Sequence, residues 1–182
     1  MKDREILIGV TGGIAAYKTA ALVSRLVQAG AGVTVVMTRA ARRFVGPATF
    51  AALTGRPVHG KMFGRHDRPL GEHIDLGRQA ELLCVAPATA NFLAKAATGL
   101  ADDSLSTLYL SCSCPVLLAP AMNSEMWSKP SVQRNAKQLE DDGAIVIAPE
   151  EGWLSCRTVG PGRMADPQTI FDAIDSALAD QQ

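Results

Sequence analysis

Pro115-Val-Leu-Leu-Ala-Pro-Ala-Met-Asn-Ser-Glu-Met-Trp127 is the stretch that decides the fold. Val116–Ala119 is a short apolar run that reads as a buried strand. Pro120 has no N–H to give to a ladder and ends it. Asn123 follows, then a segment able to turn helical. Open α/β sheets hold ligands at the carboxyl ends of their strands. An amide there, flanked by Met122, Met126 and Trp127, suits a mostly apolar pocket with one fixed hydrogen-bonding group. The same residues also suit an ordinary strand-to-helix turn with Asn123 as its N-cap.

Working outward, Ile6–Val10 is an apolar strand and Thr11-Gly12-Gly13 the turn after it. A helix is expected over Ile14–Ala29, because Ala16, Ala20, Val23 and Val27 recur at helical spacing, with Gly30 closing it. Val33–Met37 is a second strand, which makes the opening a right-handed βαβ unit. Arg42–Leu53 reads as helix broken near Gly46-Pro47, and Thr54–Leu76 as loop. Leu82–Ala86 is a strand ended by Pro87. Ala90–Thr98, Ser104–Ser111 and Ser131–Asp141 read as helices, and Ala144–Ala148 as a strand. Glu150–Met164 reads as a Gly- and Pro-containing loop, long enough to suggest function. Asp166-Pro167 opens a last helix running to about Ala179, Asp166 as cap and Pro167 at the first position. The alternation predicts one doubly wound parallel sheet, a Rossmann-like or flavodoxin-like three-layer α/β/α domain over 1–182.

Composition narrows the function classes. The 182 residues carry 18 basic and 18 acidic side chains, so no broad basic field points to nucleic acid. No stretch approaches the ~20 apolar residues of a membrane span. The N-terminus runs straight into a strand and is no signal peptide. Cys84, Cys112, Cys114 and Cys156 have neither zinc-finger nor secreted-framework spacing, and a reduced, cytoplasmic protein is expected. Cys84 lies inside a strand and reads as a small core hydrophobe.

The first strand–helix turn, Gly9-Val-Thr-Gly-Gly-Ile-Ala-Ala-Tyr-Lys18, brings backbone N–H groups at a helix start toward a phosphate. It matches neither the dinucleotide fingerprint nor the P-loop. Thr38, rather than an acid, ends the second strand, which favours a mononucleotide; tight packing explains the same glycines. Pro87-Ala-Thr-Ala-Asn91 ends another strand with two polar side chains, and Asn91 can serve as a helix cap. Asp102-Asp103 suits capping of a helix dipole better than paired-carboxylate catalysis. His59 and His66 read as solvated loop residues, while His73 stands in Glu-His-Ile-Asp-Leu-Gly, just before a strand.

Taken in order, Gly12-Gly-Ile-Ala-Ala-Tyr-Lys18, His73-Ile74, Pro87-Ala-Thr-Ala-Asn91, Pro120-Ala-Met-Asn-Ser-Glu-Met-Trp127 and the Cys156 loop ending Gly160-Pro-Gly-Arg-Met164 resemble the flavin-containing cysteine decarboxylases. The likeness covers about Ile6 to Met164, and the Pro-x-Met-Asn-x-x-Met-Trp block is its most specific part. It implies FMN and a cysteine-derived small-molecule substrate, 4′-phosphopantothenoylcysteine of coenzyme A biosynthesis. In such enzymes the substrate's CH₂–SH is oxidised to a thioaldehyde and two electrons pass to the flavin. CO₂ then leaves to give an enethiolate, and the reduced flavin returns the electrons, giving 4′-phosphopantetheine.

By matching motif positions, the resemblance implies His73 as catalytic base and Asn123 as holder of the substrate carboxylate. It implies Met126, Arg163 and Met164 beside the substrate, and Cys156 as the acid that protonates the enethiolate. Gly12, Gly13, Ile14, Thr38, Thr89, Ala90, Asn91 and Ala121 are the implied flavin contacts. A homotrimer, or trimers assembled further, is expected, with each flavin between neighbouring subunits. Many bacterial relatives carry Ala-Cys-Gly in the loop where this chain has Ser155-Cys156-Arg157. The usual bacterial protein continues into a synthetase, so a stand-alone or excised decarboxylase domain is expected.

Three rivals come with the resemblance. Peptidyl-cysteine oxidative decarboxylases lack the loop cysteine, so Cys156 counts against them. Flavin prenyltransferases share the fold but not the His73 and Asn123 blocks. Non-catalytic regulatory relatives carry long acidic tails, which this sequence does not contain.

Overall fold

In the computed structural model, which describes residues 1–60 and 72–180, five parallel strands form the central sheet. They are β1 (Glu5–Val10), β2 (Gly32–Met37), β3 (Leu82–Ala88), β4 (Val116–Pro120) and β5 (Ile145–Val146), in the order β2-β1-β3-β4-β5. Their continuous apolar runs are explained by burial on both faces. Side chains alternate along β1: Ile6, Ile8 and Val10 enter one core, while Leu7 enters the other. The first core is closed by α1 (Ala16–Gln28), α2 (Pro47–Thr54) and α8 (Pro167–Ala179). The second is closed by α3 (Glu72–Gln79), α4 (Ala90–Thr98), α5 (Ser104–Ser111) and α7 (Pro130–Asp141). The expected three-layer α/β/α sandwich is therefore present.

Cys84 is fully buried in the first core, and burial pushes its thiol up to about 12. Asp166 caps α8 by accepting from Gln168 N at 2.9 Å, with Pro167 at the first position, as its sequence suggests.

Four expectations need correction. The segment 150–164 is not an irregular loop but an antiparallel hairpin of β6 (Glu150–Trp153) and β7 (Val159–Arg163). The chain is not loop-like up to Leu76, because α3 begins at Glu72. His59 is 7% exposed rather than solvated, since its backbone runs beside β2 and exchanges hydrogen bonds with Val35 and Met37. Asn91 is not the cap of α4; Thr89 is, with its hydroxyl oxygen accepting from Phe92 N. The reading of His66 lies outside the described residues.

The β3 ladder changes register between Val85 and Ala88, and the Ala86-Pro87 bond there is cis. Two buried hydroxyls collect carbonyls at this irregularity. Thr19 Oγ1 on α1 donates to Ala86 O at 2.7 Å. Thr11 Oγ1, just past β1, donates to Pro87 O at 2.6 Å and accepts from Thr89 N at 3.1 Å. Removing such a partner leaves buried polar groups unpaired, at about 1–3 kcal/mol each. Thr11→Val is therefore expected to destabilise the fold by roughly 2–4 kcal/mol in urea unfolding, and Thr11→Ser by much less. Equal midpoints for Thr11→Val and the parent would contradict this account.

The hairpin turn carries a second testable feature. Arg157, where the sequence likeness has glycine, adopts φ +65°, and its N–H donates to Leu154 O at 2.9 Å. A left-handed conformation costs a non-glycine residue about 1–2 kcal/mol. Arg157→Gly is expected to raise stability by up to about 1 kcal/mol, after glycine's larger unfolded-state entropy is offset. A lower melting temperature for this variant would refute that.

Candidate functional site

The strand order reverses beside β1: the chain steps outward to β2, then returns to place β3 on the other flank. Ligands of doubly wound sheets bind in the crevice this creates outside the strands' carboxyl ends. Here the crevice is a cavity of about 990 Å³. It is walled by the turn after β1, the end of β2, the start of α4, the segment after β4 and the hairpin.

The turn after β1 presents free donors. Gly13 N bonds Thr11 O, but no acceptor within the described residues takes the N–H of Gly12, Ile14 or Ala15. Nor does any side chain cap α1. Gly12 is required, because a Cβ there would collide with the Cβ of Ala40. Three open N–H groups at the positive end of a 13-residue helix suit a phosphate. Thr38 Oγ1 accepts from Ala41 N at 3.2 Å, which leaves its O–H to donate into the cavity. Thr89 is left with a free O–H in the same way. Thr89, Ala90, Asn91 and Ala121 line the cavity with these groups, and so all eight of the expected flavin-contact residues surround one space. That donor set fits a flavin mononucleotide, with phosphate at the turn.

Asn123 does both things its sequence suggests. It caps the short helix α6 (Ser124–Trp127), with Oδ1 accepting from Met126 N at 2.8 Å, and it lines the cavity. Because the cap fixes the oxygen, the NH₂ end of the amide is left to donate to a ligand. Met126, Arg163 and Met164 line the same space. The hairpin is tied to the segment before α6: Met122 N donates to Gly162 O at 2.9 Å. Gly162 has φ +123°, and a Cβ there would strike the Met122 carbonyl.

Two expected catalytic residues do not line this cavity, although Ser155, next to Cys156, does. His73 is half-buried on α3, and neither it nor Cys156 is among the residues lining the space. Cys156 is exposed at the hairpin turn, its Sγ 3.1 Å from Thr158 Oγ1.

Sequence reasoning missed Lys18, Lys95, Asp103 and Trp153, all of which line the cavity. Lys95 Nζ sits 2.5 Å from Asp102 Oδ1 and 2.8 Å from Asp103 Oδ2. Asp103 also caps α5 in a capping box with Ser106, in line with its expected capping role. Burial pushes the Asp103 carboxyl up, but bonds from Lys95 and the Ser106 and Leu105 N–H groups outweigh it, and the net shift is downward. The eight-residue spacing from Lys95 to Asp103 across a helix break was the available signal.

A family model described as Flavoprotein matches residues 1–179. The bifunctional coenzyme A biosynthesis protein CoaBC of Bacillus subtilis is 45% identical over 181 residues, covering 100% of this chain and 45% of the relative. Its Mycolicibacterium smegmatis counterpart is 47% identical over 167 residues, covering 92% and 40%. The chain thus spans less than half the length of these curated relatives. Among solved structures, the FMN-dependent cysteine decarboxylase SpaF superposes with TM-score 0.85 at 38% identity, covering 97% of this chain and 96% of that one. A PPC decarboxylase mutant complexed with pantothenoylaminoethenethiol gives 0.88 at 27% identity, covering 96% and 98%. No helix among the described residues is long and apolar enough to cross a membrane. With the family model spanning nearly every residue and the crevice at its β1/β3 switch point, the chain belongs to the flavoprotein family.

Proposed function

We propose that this chain is an FMN-dependent decarboxylase that converts 4′-phosphopantothenoylcysteine to 4′-phosphopantetheine for coenzyme A biosynthesis in the cytoplasm. The observation that carries the reading is Asn123: an amide with its oxygen pinned by Met126 N and its NH₂ free at the cavity wall. Such a group holds a carboxylate in one orientation. The open N–H groups of Gly12, Ile14 and Ala15 take the cofactor phosphate, with the Thr38 hydroxyl nearby. When bound, FMN supplies a reversible two-electron oxidation at the substrate's CH₂–SH group. Asn123 fixes the carboxylate that is lost, and Met126 and the buried Met164 side chain pack beside it. His73 takes the proton from the substrate thiol, and the Cys156 thiol returns one to carbon after CO₂ has gone.

The His73 role calls for an assembly. His73 does not line the cavity of its own chain, and a homotrimer with sites between neighbours would supply it, whereas Cys156 follows Ser155, which does line the cavity. Closed cyclic assembly suits that arrangement. Exposed apolar side chains near the cavity, Ile14, Tyr17, Met126 and Trp153, support it. The second reading is oxidative decarboxylation of a peptide ending in cysteine; the likeness to SpaF, an FMN-dependent cysteine decarboxylase, supports the cysteine decarboxylation that both readings share. Mass analysis of products from phosphopantothenoylcysteine and from a Cys-ending peptide decides between them: 4′-phosphopantetheine is expected, and turnover of the peptide alone would overturn the proposal.

Asn123→Asp is expected to keep the cap, since aspartate caps as well as asparagine. It is also expected to keep FMN, yet to lower turnover by roughly 10²–10³-fold by opposing the carboxylate. Near-normal kcat/KM would remove Asn123 from the role.

Light scattering is expected to give a trimer or a multiple of it. His73→Asn is expected to lose roughly 10²–10⁴ in rate. Mixed and reassembled with Asn123→Asp chains, it is expected to regain part of the activity, because some sites then draw intact residues from both chains. A monomer, or mixtures as inactive as either variant, would exclude the shared site.

A further inference from the structure

The cavity holds more positive charge than its own residues neutralise. Lys18, Arg39, Lys95 and Arg163 line it, against the single lining carboxylate of Asp103. Lys95 is matched by Asp102 and Asp103. Lys18 and Arg163 are not matched in this way, and no ion pair joins either to a carboxylate among the described residues.

Lys18 lies in the first turn of α1, with its ammonium turned to the base of the hairpin, where it donates to Met164 O at 3.1 Å. Two of its three N–H bonds remain. Desolvation holds its pKa below the ordinary lysine range, and the Arg163 cation adds to the effect. Glu150, opposite Arg163 in the hairpin register, and Asp166 act the other way, but neither forms an ion pair with Lys18 or Arg163 among the described residues. Glu150 Oε1 accepts from Asp166 N at 2.9 Å, and Asp166 Oδ1 accepts from Gln168 N at 2.9 Å. Arg163 packs close against the opposite strand: a Cβ on Gly152 would stand only 3.0 Å from Arg163 Cδ and Nη1. Two like charges that face one cavity, with Lys18 bonded to the residue after Arg163, are unfavourable until an anion joins them. A planar guanidinium beside an ammonium is a phosphate-binding pair.

We propose that Lys18 and Arg163 seat the phosphate monoester of the substrate, at a place distinct from the open N–H groups of the Gly12–Ala15 turn. The inference rests on the decarboxylase reading above and deepens it. That reaction brings two phosphate monoesters into one cavity, one on FMN and one on the substrate. The structure offers two anion seats of different construction, backbone donors at a helix start and paired cations at the hairpin base. A decarboxylase acting on a peptide would have no use for the second.

The test uses FMN-loaded full-length protein. 4′-Phosphopantothenoylcysteine and its dephosphorylated form, pantothenoylcysteine, are compared as substrates for the parent, Lys18→Met, Arg163→Gln and Arg163→Lys. In parallel, calorimetry measures binding of 4′-phosphopantothenate and pantothenate, which need no turnover. The parent is expected to prefer the phosphorylated compounds, and each neutral variant to lose about 10–100-fold of that preference, through KM rather than kcat. Arg163→Lys is expected to restore part of it. FMN content, read from the visible absorbance, is expected to hold. A parent that binds both pantothenates equally, or variants that weaken both equally, would overturn the proposal. Loss of FMN from the variants would overturn it too, by assigning the cations to the flavin phosphate. If the parent decarboxylates neither compound, the functional reading fails, and the binding comparison still decides the seat.

Discussion

Two buried threonine hydroxyls hold together the point from which the site is built. Where β3 slips register, the carbonyls of Ala86 and Pro87 are taken by Thr19 and Thr11. One hydroxyl comes from α1 and the other from the turn that leads into it. The Thr11 oxygen also accepts from Thr89 N, the N-cap of α4. Three elements that wall the crevice therefore share one buried polar cluster. Such clusters are stabilising only when complete, so the mouths of β1 and β3 are held at a fixed separation. The glycine turn can open its N–H groups to a ligand because its neighbours, and not the turn itself, carry the positional constraint.

Several capping interactions serve two purposes. Thr38, Thr89 and Asn123 each give their acceptor oxygen to a backbone N–H three residues on. That bond satisfies a helix or turn start, and it also fixes which polar group is left for a ligand. For the two threonines the remaining group is a hydroxyl hydrogen, and for Asn123 it is an amide NH₂. A wall built this way offers donors to anions, which agrees with a site for phosphates and a carboxylate. Capping and ligand binding are not exclusive roles for Asn123, because the cap bond itself fixes where the free amide end points.

Much of this was legible in the sequence, and the rest was hidden for definable reasons. The apolar runs Ile6–Val10, Leu82–Ala86 and Val116–Ala119 could be nothing but buried strands once helices alternated with them. The hairpin was not legible: Glu150-Glu-Gly-Trp and Val159-Gly-Pro-Gly-Arg have little apolar alternation. Burial does alternate along β7, but its buried positions are Gly160 and Gly162, which add no apolar side chain to the pattern. His59 looked solvated among glycines and prolines, yet its backbone adds to the edge of β2, a long-range pairing that local composition does not encode. Asn91 lost its expected cap role to Thr89 because the helix began one residue after the hydroxyl rather than after the amide. The motifs single out His73 and Cys156, but neither lines the cavity with Asn123.

The Lys18–Met164 bond joins two parts of the molecule that are otherwise separate in sequence. Lys18 itself stands one turn beyond Ile14 and Ala15, on the same helix start. The residue that anchors the hairpin is therefore rooted in the segment that would grip a phosphate. Thermodynamic linkage then runs in both directions: a ligand that steadies the start of α1 steadies the hairpin base, and a settled hairpin tightens the grip on that ligand by the same factor. A single side chain thus couples the helix start to the base of the hairpin.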